Sequence, residues 1–221
     1  MRLNAAATEA LEARADVFPL GDLRFRALVS EADWERLPYA IRRRFSKRLA
    51  GGATAVYVGE ITDIHMSKAG WLLAQAARLI GGPLPTTCDL RVPSIVTVTE
   101  DIATGGQIWT RLYARRNGFP QVIHSSKRFA GCTGLEEHVG GGVGMALTVH
   151  VTEHSLIFRS AGYFVQLGGW RIPLPAWATP GTISVTHEEQ TDKSFFFRLE
   201  VIHPRFGLLI RQTALFRESE S

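Results

Sequence analysis

Cysteine is scarce in this chain, and long apolar runs are missing from it. Cys88 and Cys132 are the two cysteines in 221 residues. No metal-type spacing relates them, and nothing in the sequence requires a disulfide. No apolar run approaches the ~20 residues of a membrane-spanning helix. Met1 to Ala15 lack the continuous apolar core of a secretory signal. Cytoplasmic residence with reduced thiols is therefore the default expectation. A large excess of charge is missing too: the formal charge of +4 is spread over a whole domain. As a nucleic-acid footprint that is weak, and no nucleic-acid partner is expected. There is no Gly-x-Ser-x-Gly, no P-loop and no dinucleotide fingerprint behind a strand. The seven histidines include no His-x-His pair. His150 and His154 are four apart, but in a segment that reads as a hairpin. Their order, His-Val-Thr-Glu-His, is not His-Glu-x-x-His. Neither a metal site nor a cofactor is expected.

What the chain does hold is a ladder of strands from Val92 to Phe216. Runs rich in Val, Ile, Thr, Phe and Tyr, separated by turn residues, read as Ser94–Glu100, Gln107–Ala114, Gln121–Phe129, Gly144–Val151 and Ser155–Ser160. Tyr163–Leu167, Thr182–Glu189, Phe195–His203 and Leu208–Phe216 follow. Short Gly-, Asn-, Asp- or Pro-bearing connections suit antiparallel hairpins. Ala55–Ile64 adds an earlier strand. So many consecutive strands must curl, close or split, since long open edges invite aggregation. The expected fold is α+β and mostly β: a strongly curved antiparallel sheet or barrel of nine to ten strands, with two N-terminal helices packed on or inside it. Residues 30–217 form its single domain, after an arm over 1–29 and before a disordered tail over 218–221. The Gly-rich stretch Leu135–Gly144 reads as a flexible hairpin tip or mobile lid. The prolines of Arg171–Gly181 make that stretch a rigid connection rather than a strand.

The helices announce themselves by caps and stripes. Glu9 to Ala15 reads equally as a short helical arm or as disorder, and Leu23–Leu28 as a short strand or the approach to a helix. Ser30 offers an N-cap, with Glu31 and Asp33 placed for the helix dipole. Pro38 opens a second helical segment. Trp34, Leu37, Ile41, Phe45 and Leu49 make one apolar stripe, opposite Arg42, Arg43, Arg44, Lys47 and Arg48. That cationic face is either solvated or rests on anionic lipid. After the possible cap Ser67, Trp71 to Ile80 is apolar nearly all round, which implies burial against other protein. Gly81-Gly82-Pro83 ends it.

Several segments form a series when taken in order: Leu37-Pro38-Tyr39-Ala40-Ile41-Arg42-Arg43, Gly82-Pro83-Leu84-Pro85, Trp109-Thr110-Arg111-Leu112-Tyr113 and Leu135-Glu136. Ile172-Pro173-Leu174-Pro175 and Pro204-Arg205-Phe206-Gly207-Leu208-Leu209 complete it. The series spans most of residues 34–217 and resembles the bacterial family called domain of unknown function 4166, a resemblance that implies no activity.

The candidate binding residues come from face-sharing on strands. Trp109, Arg111 and Tyr113 lie on one face, where an Arg between aromatic rings suits a carboxylate or phosphate head group. The plainer alternative is a surface Arg stacked on rings. Glu136, His150, Arg159 and Arg198 face either the same cavity or the outside; the sequence leaves this open. The leading expectation is binding of an apolar or amphipathic, lipid-like small molecule in the cavity of the curved sheet. One alternative is a cofactor-independent isomerase or hydrolase using Glu136 or His150 as base. Another is a peripheral membrane module led by Arg42, Arg43, Arg44, Lys47 and Arg48. Cys132, in a Gly-Cys-Thr-Gly turn, reads as a bystander thiol rather than a reactive one.

Overall fold

Alternating inner and outer residues along every long strand, joined by short turns, build a barrel. The computed structural model describes residues 21–190 and 193–219. Its strands are β1 (Ala55–Met66), β2 (Pro93–Asp101), β3 (Gly106–Tyr113), β4 (Gln121–Arg128), β5 (Glu136–Gly140) and β6 (Val143–Val151). They continue as β7 (Ser155–Leu167), β8 (Trp170–Pro173), β9 (Thr182–Glu189), β10 (Ser194–His203) and β11 (Gly207–Glu218). All pairings are antiparallel, and neighbours in the chain are mostly neighbours in the sheet. β11 pairs with β1, and β6 with β7, so among the described residues ten strands close on themselves and leave no long edge open. The extra strand β8 pairs with the second half of β7 (Phe164–Leu167), whereas the first half (Ser155–Arg159) pairs with β9. The wall divides there, and residues 174–181 run past the division. The Leu174 amide donates to the Tyr163 carbonyl at 2.8 Å.

One end of the barrel is plugged. Ser30 caps α1 (Glu31–Arg36), its hydroxyl accepting from the Asp33 amide at 3.1 Å. Pro38 directly precedes α2 (Tyr39–Phe45), where its fixed φ suits a helix start. The stripe of Trp34, Leu37, Ile41 and Phe45 is buried in the barrel core together with Phe25. Phe25 meets Phe129 and Phe158 edge-on, with centroids 4.9 and 5.9 Å apart. Burying each such side chain stabilises the fold by about 1.5–3 kcal/mol, so the plug is part of the core. Residues 23–28 contain a single 3-10 turn, Arg26–Leu28, rather than a strand.

The other end is bridged by α3 (Lys68–Ala77). Ser67 caps it, accepting from the Gly70 amide at 3.0 Å, and Gly81 ends the following turn with φ of 102°. The helix approaches β11 closely because Gly70 has no side chain: a Cβ there would lie 2.1 Å from the Leu209 carbonyl oxygen. The all-round burial expected of this helix is not what the structure shows. Leu72 is 63% exposed and Leu79, in the turn that follows, is 90% exposed. Being at the rim of a barrel, α3 has protein on only part of its circumference.

Three further expectations are revised. Leu135–Gly144 is mostly ordinary ladder: β5 and β6 form a hairpin, with a tip at Gly140, Gly141 and Gly142 that takes φ of 127°, 57° and 76°. Such φ values suit glycine alone at little cost. Ser155–Ser160 and Tyr163–Leu167 are one strand, β7, carrying a bulge opposite Ala146 and Leu147. Arg171–Gly181, expected as a rigid connection, begins instead inside the short strand β8 (Trp170–Pro173), with Pro173 at its end. The segment Glu9–Ala15 and the last two residues of the expected tail lie outside the described residues. Glu218 is still in β11.

Candidate functional site

Period two in β3 buries Gln107, Trp109, Arg111 and Tyr113 inside the barrel and leaves Ile108, Thr110 and Leu112 on the other face. The same alternation turns Ile123, Ser125 and Lys127 of β4, and Glu137 of β5, inward. Together they divide the interior into two parts. Below lies the aromatic plug; above lies a cavity of about 430 Å³ beneath α3. Its walls are apolar: Ile123, Val139, Val143 and Met145 on one side, Ile183, Val185, Phe197 and Leu199 on the other. Leu73, Ala77 and Ile80 of the helical segment form the roof, with Trp177 and Pro180 at the division between β7 and β9. Arg111, Tyr113, Ser125, Glu137, Tyr163 and Gln212 supply its polar lining.

The floor is a buried charge cluster. The Glu137 carboxylate takes the Lys127 ammonium at 3.0 Å and an Arg111 Nη2–H at 3.3 Å, and Arg111 also donates to the Ser125 hydroxyl at 3.2 Å. Burial alone would raise the Glu137 carboxyl. The charges of Lys127 and Arg111, with hydrogen bonds from Ser125 and Lys127, outweigh it and hold the carboxyl at about 2. Burial pulls Lys127 down, with Glu137 opposing and Arg111 adding to the effect. Lys127 is only 1% exposed and sits over the rings of Trp109 and Phe158, 5.0 and 5.4 Å from their centroids. One carboxylate thus serves two cations, and the floor keeps a surplus of one positive charge. Arg111 Nε is buried without a hydrogen-bond partner among the described residues. Tyr163 is held against the wall, its hydroxyl donating to the Gly181 carbonyl at 2.8 Å. Burial pushes it up to about 12, so it stays a neutral donor.

Beneath this floor lies His187, on β9. Phe45, Trp109, Phe158, Phe195 and Phe197 surround its ring. Neither ring nitrogen has a hydrogen-bond partner among the described residues. Burial, with Arg44, Lys127 and Arg111 nearby, drives its pKa well below the usual histidine value.

Of the residues singled out from the sequence, Arg111 and Tyr113 line the cavity, while Trp109 lies one layer lower and donates from Nε1 to Gln107 at 3.2 Å. Glu136 is buried away from the cavity, beside Glu137 but on the opposite face of β5. There Arg171 holds it at 2.5 Å and His138 at 3.2 Å. His150 is exposed next to Thr148, and Arg159 is exposed too. Arg198 points outward and pairs with Glu188 at 3.6 Å. In the basic helix, Arg44 turns inward over Phe195 and pairs with Glu189 at 3.0 Å. Arg43 and Lys47 share Glu218, Arg42 is half-buried and Arg48 is exposed. Lys127, Glu137 and His187 escaped the sequence reading. A lysine on the same strand face as the apolar Ile123 was the available signal, but its counter-ion lies on another strand.

A family model described as Domain of unknown function (DUF4166) matches residues 37–216. No curated protein and no solved structure matches the chain.

Proposed function

The chain belongs to the DUF4166 family, and from the geometry of its barrel we propose that it binds an amphipathic small molecule carrying one negative charge. The apolar body fills the cavity beneath α3, and a carboxylate or phosphate head reaches Arg111. The observation that carries this reading is the cavity's polarity: apolar walls and roof over a floor with one unbalanced cation. A cavity of about 430 Å³ falls in the range that small-molecule sites occupy. In a low-dielectric interior, an unbalanced guanidinium favours an anion strongly. Gln212 and Ser125 stand on the same lining and add hydrogen-bonding capacity for the head. Catalysis by Glu136 or His150 finds no support, because neither reaches the cavity. A membrane role for the basic helix is weakened by its pairing with Glu189 and Glu218.

The test has two steps. Native mass spectrometry of purified protein, followed by denaturation and extraction, should reveal a co-purifying acid. Stripped protein is then titrated by calorimetry with a long-chain fatty acid and with the alcohol of the same chain. The acid should bind tighter, and Arg111→Met should remove the difference, weakening the acid about tenfold to a hundredfold, as for a lost charged hydrogen bond. Equal affinity for acid and alcohol in the wild type, or no binding of either, would sink the reading.

A further inference from the structure

A helix apolar nearly all round is normally covered all round, and α3 is not. One side roofs the cavity through Leu73, Ala77 and Ile80. A second side packs on β11, where Gly70 and Ala74 are buried. The third, carrying Leu72 and continued by Leu79, faces outward.

Strand polarity puts other apolar side chains at the same end. β3 finishes there and β4 begins there, so Phe119 in their connection lies on the rim and is 92% exposed. Trp170, where β8 begins, is 78% exposed, and the segment passing the divided wall carries Trp177 at 85%. Phe206 sits in the turn from β10 to β11. These side chains come from three connections and the start of β8, so no single element's folding requires them to be apolar.

Charge follows the same geography. The segments at this end, residues 67–92, 114–120, 140–142, 166–181 and 203–207, carry seven Lys and Arg against one acid, Asp89, and of the seven Arg171 is paired with Glu136 of β5. At the plugged end Arg44 pairs with Glu189, and Arg43 and Lys47 share Glu218. Aromatic tips interleaved with surplus cations around an apolar opening fit an anionic bilayer, where rings sit at head-group depth and basic residues are drawn to the negative surface.

We infer that the open end of the barrel docks on an anionic lipid surface, with the outer face of α3 and the aromatic tips in the interface and the cavity opening toward the acyl chains. The docking stands apart from the ligand assignment. A chain that binds vesicles but takes no amphiphile in solution keeps this inference and loses the other.

The experiment is co-sedimentation of the full chain with vesicles of phosphatidylcholine alone or of phosphatidylcholine and phosphatidylglycerol in equal parts. Tryptophan quenching by lipids brominated on their acyl chains is read alongside. Binding should need the anionic lipid, and quenching should fall on Trp170, Trp177 and the half-exposed Trp71 of α3, and should drop in the Trp170→Tyr/Trp177→Tyr variant. Leu79→Glu changes an exposed side chain, so the fold survives, and it should weaken vesicle binding at least about tenfold. Arg43→Ser/Lys47→Ser, at the opposite end, should bind as the wild type does. The inference is overturned if anionic vesicles leave the protein in the supernatant, or if Leu79→Glu binds unchanged. It is equally overturned if the variant at the opposite end is the one that fails. A dimer in sedimentation velocity that Leu79→Glu dissociates, without vesicle binding, would assign the surface to a second copy of the chain instead.

Discussion

Glu137 is the residue on which the interior's electrostatics turn. Two buried cations depend on it, and its carboxyl, held at about 2, stays ionised at any ordinary pH. Removing one partner of a buried ionic group leaves uncompensated charge and typically costs about 3–5 kcal/mol. Glu137→Gln should therefore lower the urea unfolding free energy by about that much. Pairing it with Lys127→Met should recover a large part of the loss, because only Arg111 then remains unbalanced. A single variant as stable as the wild type would show that the carboxylate compensates neither cation.

At the scale of elements, α3 shows how one residue can set the position of a helix. Replacing Gly by Ala in a helix interior ordinarily stabilises by up to about 1 kcal/mol. At Gly70 the added Cβ would meet the Leu209 carbonyl oxygen at 2.1 Å. Gly70→Ala should instead destabilise by about 1–3 kcal/mol as the helix is pushed off β11. A rise in the denaturation midpoint would mean that the helix does not lie against the strand in solution. Because Leu73, Ala77 and Ile80 roof the cavity, the displacement should also loosen ligand binding in the calorimetric assay.

As a whole, the molecule is a closed barrel with unlike ends, a plugged one held by rings and ion pairs and an open one roofed by α3. Its acid response belongs to this scale, since His187 lies where the plug meets the barrel wall. Unfolded, this histidine takes a proton near pH 6.5; folded, it resists until well below. Stability is thus fully present above pH 6.5 and is lost as pH falls, by about 1.4 kcal/mol per pH unit for one proton. Glu137 adds its own loss only between its ordinary value of 4.5 and about 2. Thermal midpoints of His187→Phe should fall less steeply than those of the wild type between pH 6.5 and 4.5, and should still fall below 4.5. Parallel profiles over the upper interval would remove His187 from the account.

The sequence by itself determined what local chemistry decides. Ser30 and Ser67 cap because a hydroxyl there satisfies free helix amides, and Gly81 ends a helical turn because φ near 102° suits no side chain. Alternation in β3 is enough to place Trp109, Arg111 and Tyr113 on one face. Nine of the eleven strands, counting the two halves of β7 as one, were legible in this way, as was the likeness to the DUF4166 family. What alternation cannot say is which face becomes the inside. Glu136 and Glu137 are neighbours of one chemistry, yet one meets Arg171 away from the cavity and the other meets Lys127 within it. Short strands such as β5 and β8 carry too few residues for a period to show. Closure of β11 on β1 joins Tyr57 to Glu218, a pairing no local pattern encodes. The tertiary structure alone decided the cavity, its surplus positive charge and the uncovered face of α3, because each depends on the register between strands far apart in the chain.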